Sequence, residues 1–358
     1  MVGFRPSLDP EVARRHLELL LVAPHRSASF QRAIKRLNDR FLVYAATSPA
    51  PLPAPGLVVT PEIRCQSEMY LPIKEVAGCF NRLYCSALAY PPILSSTPFH
   101  DALSWADAFS ALPPKFQLGA NPARILAALL DNRNLLQEFI FASFLPRRFY
   151  GGVVRYPKQE EFIREWLSKK RGEPLRCLDA ACGDGAGCYG LARLLLDGGW
   201  RPDQFAIEGW TLEPLEIWAA AHGSFPHDPH RERLFRSWAG PVFELGADSA
   251  LLFRQADLLQ RPSTHGYDLI LCNGLLGGPI INRHNGLRRV VANLAALLAP
   301  GGVLLAADHF HGGWKKQNPG EFLGALCKEC GLIVTEAGEG VAAMQITASW
   351  DRENSGSR

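Results

Sequence analysis

The 358-residue chain lacks several features that would assign it to a class at once. No stretch approaches about 18 uninterrupted apolar residues, the length a spanning helix needs, so the sequence predicts no membrane association. The N-terminal MVGFRPSLDPEVARRH has no apolar signal core, and a cytoplasmic location is expected. Neither sign of charge dominates, since 38 Lys and Arg against 35 Asp and Glu leave a net +3. Nucleic acid binding needs clustered Lys and Arg. The densest groups, Arg147–Arg148 and Lys169–Lys170–Arg171, are short, so no nucleic acid partner is expected. No internal repeat is visible. The nine cysteines are odd in number and, without an export signal, are expected to be reduced thiols. Cys327 and Cys330 have CxxC spacing, but no second CxxC or His pair completes a zinc tetrahedron, so no metal is expected.

What is present is ordinary globular material, 47% hydrophobic and 20% charged, enough for a sizeable core. Residues 11–45 read as helical, with Val12, Leu17, Leu20, Leu21, Phe30, Ile34, Leu37 and Phe41 at helix-like spacing. A proline-rich loop follows at 48–56, then short helices around 73–88 and 101–111. Asn121 as N-cap and Pro122 at N1 open a further helix, whose apolar face runs from Ile125 to Ile140. Residues 1–150 are thus expected to form a mainly helical accessory domain and 151–174 a linker at the edge of a ligand site. Residues 175–350 would form an α/β domain, and 351–358 a disordered tail. Phe139, Phe141, Phe144, Phe149 and Tyr150 suggest that the first domain is a lid over a cleft or carries a homodimer surface.

After Lys170 short apolar runs alternate with amphipathic stretches. Strands are expected at 175–181, 204–211, 250–255, 267–273, 302–308, 331–336 and 342–349. Helices are expected near 187–197, 213–222, 284–298 and 318–329. Near-continuous apolar strands alternating with helices predict a parallel sheet covered on both faces. Only a turn around Gly338–Gly340 separates the last two strands, so they are expected to pair as a hairpin with one antiparallel edge strand. The fold class is therefore α/β and Rossmann-like, with a mostly parallel seven-stranded sheet. Such sheets bind ligands beyond the carboxyl ends of their strands.

The stretch from Leu175 to Ala192 joins the first strand to the first helix. Gly183, Gly185 and Gly187 allow a tight bend and let a ligand approach a backbone without Cβ atoms. Dinucleotide sites use GxGxxG, which presents amides to a pyrophosphate. This loop reads GxGxG, with Asp179 at the strand end and Asp184 inside the turn. Two carboxylates oppose a pyrophosphate and suit a cationic ligand with an amino group, such as the sulfonium S-adenosylmethionine. Nicotinamide-dependent redox chemistry is accordingly the weaker alternative.

Here the sequence resembles the class I S-adenosylmethionine-dependent methyltransferases, whose first motif runs approximately LDxGCGxG. Leu178, Asp179, Cys182, Gly183 and Gly185 match, and Ala181 replaces the first glycine. The resemblance implies that the second strand ends in an acid for the ribose hydroxyls. Thr211 stands at that position, with Leu212 against the adenine and Glu213 within reach of the ribose. It also implies that Asp257, followed by Leu258, accepts from the adenine amine, although a turn Asp fits that spacing as well. Cys272–Asn273–Gly274 would pass beside the reactive methyl, and Leu297–Asp308 resembles the family's LKPGG turn.

Several stretches resemble the chemotaxis-receptor glutamate methyltransferases more specifically. The family's AGCSTGEEPYSLA parallels AACGDGAGCYGLA at 180–192, and FDLIFCRN parallels Tyr267–Gly274. The departures lie in the site. The two loop acids become Ala186 and Gly187, an Arg becomes Asn273, and a Tyr falls at Gly278. Fold and cofactor carry over, whereas receptor methylation does not. The expected reaction is methyl transfer by in-line displacement to a small molecule or a protein carboxylate. Such a reaction depends on alignment more than on a dyad. Candidate catalytic residues are His309 and His311 after the fifth strand, where an imidazole would act as base. Arg155 would orient a carboxylate. Asn282, Arg283, His284 and Asn285 form a polar loop that would contact substrate. A protein that binds the cofactor without turnover is the alternative, motivated by the missing acids and Tyr.

Overall fold

The computed structural model describes residues 2–117, 119–145, 154–170, 172–261, 266–278, 280–307 and 320–345. His309 and His311, like Phe149 and Tyr150, lie outside the described residues. The chain divides into two compact units: the described residues of 1–9, 148–224 and 230–358, and those of 10–147 and 225–229.

The second unit is helical. It comprises α1 (Pro10–Glu18), α2 (Ala28–Thr47), α3 (Pro61–Tyr70), α4 (Ile73–Ala87), α5 (Trp105–Ala111), α6 (Pro122–Asp131) and α7 (Arg133–Phe144). The helical stretch expected at 11–45 is two helices, because Ser27 caps α2 by accepting from the Phe30 amide. The long helix expected after Asn121 also divides. Asn132 closes α6 and its side chain caps α7, accepting from the Leu135 amide at 3.0 Å. Three of the five aromatic residues from which a lid or dimer surface is expected lie in the core of this unit. Phe139, Phe141 and Phe144 are 1%, 0% and 3% exposed. Phe139 stacks on Tyr84, whose hydroxyl lies 2.8 Å from Ser143 Oγ.

The first unit is an α/β Rossmann-like fold. Its strands are β1 (Gly3–Phe4), β2 (Leu175–Asp179), β3 (Phe205–Thr211), β4 (Leu251–Gln255), β5 (Tyr267–Leu271), β6 (Leu298–Ala306), β7 (Leu332–Glu336) and β8 (Val341–Gln345). Its helices are α8 (Pro157–Ser168), α9 (Ala186–Asp197), α10 (Pro214–His222), α11 (Pro229–Glu244), α12 (His284–Leu297) and α13 (Gly320–Glu329). The sheet order is β1-β4-β3-β2-β5-β6-β8-β7. Strands β4, β3, β2, β5 and β6 are parallel. Both faces of the central strands are covered, so their apolar residues run almost without interruption; β2 buries four of its five residues.

Among the described residues the sheet therefore has eight strands, not seven, and the antiparallel strand is not at the expected edge. β8 inserts between β6 and β7, antiparallel to both. Gly340, at φ 75°, permits this, because a Cβ there would strike the Ala306 carbonyl of β6. The half-exposed β7 then forms the outer edge. The opposite edge is β1, antiparallel to β4, with Phe4 buried. A two-residue strand carries no periodic signal. The segment expected as a linker at 151–174 contains α8, marked by Pro157 at N1 and buried Ile163, Trp166 and Leu167. The chain order reverses between β2 and β5, and this switch point opens the crevice at the strand ends.

Candidate functional site

A cavity of about 500 Å³ lies at this switch point. It is bounded by the β2–α9 turn, the ends of β3, β4 and β5, and helices α8, α9, α10 and α11. Of the expected cofactor residues, Asp179, Ala181, Gly183, Asp184, Thr211, Leu212, Asp257, Leu258 and Asn273 line it, and so does Arg155. Gly185 and Glu213 do not.

Asp179 ends β2 and is only 6% exposed. Oδ1 accepts from the Ala181 amide at 3.3 Å, and the Cys188 thiol lies 3.9 Å from Oδ2. A Cβ on Gly187 would collide with Oδ2, so the third glycine makes room for this carboxylate. Burial pushes its pKa up to about 7, against smaller opposing effects of the Ala181 amide and Arg155. Asp184, five residues on, differs. Burial opposes its ionisation, but Arg231 of α11, which is ion-paired with it, and Arg155 outweigh that cost and hold its carboxyl below the usual range. Asp184 is thus already paired with a cation.

Gly183 and Gly185 have φ of 51° and 84°, in the left-handed region. A Cβ on Gly183 would meet open space. One on Gly185 would press on Ala220 Cβ at 2.7 Å and Phe253 Cε1 at 2.9 Å. Gly185 thus serves core packing at the start of α9.

At the end of β3, the Thr211 hydroxyl donates to Glu216 Oε2 at 2.5 Å. Of the two glutamates here, Glu216 lines the cavity and Glu213 does not. Glu213 is 6% exposed and caps α10, accepting from the Leu215 amide at 3.1 Å. The signal for this was present. Glu213 precedes Pro214, and an acid before Pro at N1 is an N-cap. An acid one turn later points back toward the helix N-terminus, because side chains lean that way. Asp257 lines the cavity and also accepts from the Leu259 amide at 2.9 Å, so the turn role and the cavity position coincide.

At the end of β5, Asn273 and Gln159 of α8 bond both ways. Gln159 Nε2 donates to Asn273 Oδ1 at 3.2 Å, and Asn273 Nδ2 donates to Gln159 Oε1 at 2.8 Å. Asn273 Oδ1 also accepts from the Ala307 amide at 2.9 Å. Glu339, in the β7–β8 turn, accepts from the Lys158 and Gln159 amides at the start of α8. This network fixes α8, and with it Arg155 and Tyr156, at the cavity wall. Sequence reasoning missed Gln159, since an isolated amide carries no spacing signal. Before α12, Ile280 and Ile281 line the cavity, whereas Asn282 and Arg283, and His284 and Asn285 in the first turn of α12, do not.

No protein-family model and no curated protein matches the chain. Solved structures are similar to parts of it. The N-methyltransferase NodS from Bradyrhizobium japonicum, in complex with S-adenosyl-L-homocysteine, is 18% identical over 59% of this chain and 95% of NodS, at a TM-score of 0.38. CalS10 from Micromonospora echinaspora, an amino pentose methyltransferase with S-adenosylmethionine bound, is 20% identical over 42% of this chain and 50% of its own, at 0.27. The 4+2 cyclase SpnF is 17% identical over 49% and 59%, at 0.33. The chain thus spans 50% of CalS10 and 59% of SpnF. Function resides in the site rather than the fold.

Proposed function

We propose that the chain is an S-adenosylmethionine-dependent methyltransferase of the class I kind. The observation that carries this is the buried Asp179 carboxyl beside an open, positive-φ glycine turn at the sheet's switch point, with further carboxylates along the same cavity. Asp179 holds the cofactor's ammonium. Gly183 admits its backbone-facing edge, and Glu216, braced by Thr211, accepts from the ribose hydroxyls, because one carboxylate matches two vicinal donors. Leu212 and Leu258 flank the adenine, and Asp257 accepts from its amine. When bound, the cofactor supplies the electrophilic methyl. The protein's residues contribute alignment and exclusion of water, and well-aligned reactants can account for about 7–11 kcal/mol of barrier lowering. Arg155 orients the reactants near Asp179.

Asp179, Asp184, Glu160, Glu216 and Asp257 line the cavity. This surplus of carboxylates favours a small neutral or cationic acceptor over a protein carboxylate. The closer likeness to chemotaxis-receptor methyltransferases contributes fold and cofactor only. A second reading, cofactor binding without turnover, is favoured by Asn273, whose amide is engaged by Gln159 and Ala307. A cytoplasmic site of action accords with the nine free thiols.

Equilibrium binding of labelled S-adenosylmethionine to wild type and Glu216→Gln tests the site. Losing a charge-assisted pair to the ribose is expected to weaken binding about tenfold or more. Equal affinities would remove Glu216 from the ribose and with it this arrangement of the site.

A further inference from the structure

One part of the cavity is used by none of the residues assigned to the cofactor. It continues along α9 past Gly190, Leu191 and Leu194. With Gly187, these positions are spaced i, i+3, i+4 and i+7 and so share one face of the helix. At 1.5 Å per residue, the trough runs roughly 10 Å down that face. Its other walls are Glu160 and Ile163 of α8 and Trp238 of α11.

The trough exists because residue 190 has no side chain. Gly190 is helical, without positive φ, and a Cβ there would meet only Trp238 Cζ2 at 3.6 Å, an ordinary contact. Packing therefore does not require glycine, although glycine inside a helix costs about 1 kcal/mol relative to Ala. The floor is apolar, with Ile163, Leu191 and Leu194 at 3%, 1% and 5% exposure. The Trp238 ring is held by the Arg193 guanidinium, 4.0 Å from its centroid. Its indole N–H is buried without an acceptor among the described residues. Glu160 is the trough's carboxylate. Its side chain is 23% exposed, and its ion-pair partner Arg164, at 3.6 Å, is 55% exposed, which makes that pair weak and replaceable. Burial raises the pKa of Glu160, against the opposing charges of Arg164 and Arg193, so this carboxylate lacks full compensation.

We propose that this trough binds a small molecule with an apolar, ring-sized body and a protonated amine, the ammonium at Glu160 and the body against Ile163, Leu191, Leu194 and Trp238. The assignment uses none of the residues given to the cofactor, and it shares only Glu160 with the reading of the acceptor.

The test is calorimetric titration of the full chain with 2-phenylethylamine and its neutral isostere 2-phenylethanol. The amine is expected to bind at least about tenfold more tightly, the effect of one charge pair in a partly buried site. Gly190→Leu, which fills the trough, is expected to abolish amine binding while binding of S-adenosyl-L-homocysteine persists. Glu160→Gln, which changes no volume, is expected to erase the amine's advantage over the alcohol, and it decides the matter should Gly190→Leu fail to fold. Equal binding of amine and alcohol, no binding of either, or amine binding that survives both substitutions would overturn the proposal. Loss of S-adenosyl-L-homocysteine binding in wild type, with the amine results intact, would instead overturn the cofactor assignment.

Discussion

Asp179 ends β2 and Asp184 lies in the turn that follows, yet the two respond to protons in opposite ways. The Asp179 pKa stands near 7 because burial dominates, whereas Asp184 is kept ionised by Arg231 and Arg155. A raised acid pKa means that the folded state holds its proton more tightly than the unfolded chain does. The contribution of Asp179 to stability is therefore full below its unfolded value of 3.8 and is lost as pH rises to about 7. Pairing with a ligand ammonium requires the ionised form, so binding near pH 6 is expected to release close to one proton. Titration of S-adenosyl-L-homocysteine in buffers of different ionisation enthalpy measures this. Asp179→Asn should abolish the release, and an unchanged release would assign the proton elsewhere.

The two left-handed glycines also separate at this scale. Gly183→Asn, a residue that tolerates positive φ, is expected to fold normally yet weaken cofactor binding about tenfold by reaching into the cavity. Gly185→Ala is expected to lose about 1–3 kcal/mol of stability to overpacking against Ala220 and Phe253, read by chemical denaturation. The reverse pattern would interchange their roles. The sequence displayed both glycines equally, because spacing reveals where a turn bends but not which Cβ vector meets the core. The same limit explains Glu213 and Glu216. Both acids were visible, but only the cap geometry of α10 turns one inward and the other to the cavity.

Among the elements, those with dense local signals were legible. Strands β2 to β6 follow their apolar runs, and α9, α10 and α12 follow their periodicity. Elements defined by partners far along the chain were not. Nothing in the residues of β8 states that it inserts beside β6 rather than ending the sheet. Helix α11 carries Pro241 and a low apolar content, so its pattern does not announce a helix, although it supplies Arg231 and Trp238. The division of α6 from α7 rests on one side chain. Asn132→Ala is expected to cost about 1 kcal/mol, since the Leu135 amide loses its acceptor. A denaturation midpoint indistinguishable from wild type would show that the cap contributes nothing.

For the whole molecule, no described helix is long and apolar enough to cross a membrane. The switch point between β2 and β5 concentrates the chemistry, because two chain directions diverge there and leave a crevice that neither crossover fills. The central proposal is that this crevice accepts a sulfur nucleoside bearing an ammonium group and not a dinucleotide. Its most direct test is calorimetric titration of the purified chain with S-adenosyl-L-homocysteine and with NAD at neutral pH. One saturable, micromolar site for the former and no heat from the latter is the predicted result. No binding of S-adenosyl-L-homocysteine, or tighter binding of NAD, would contradict it.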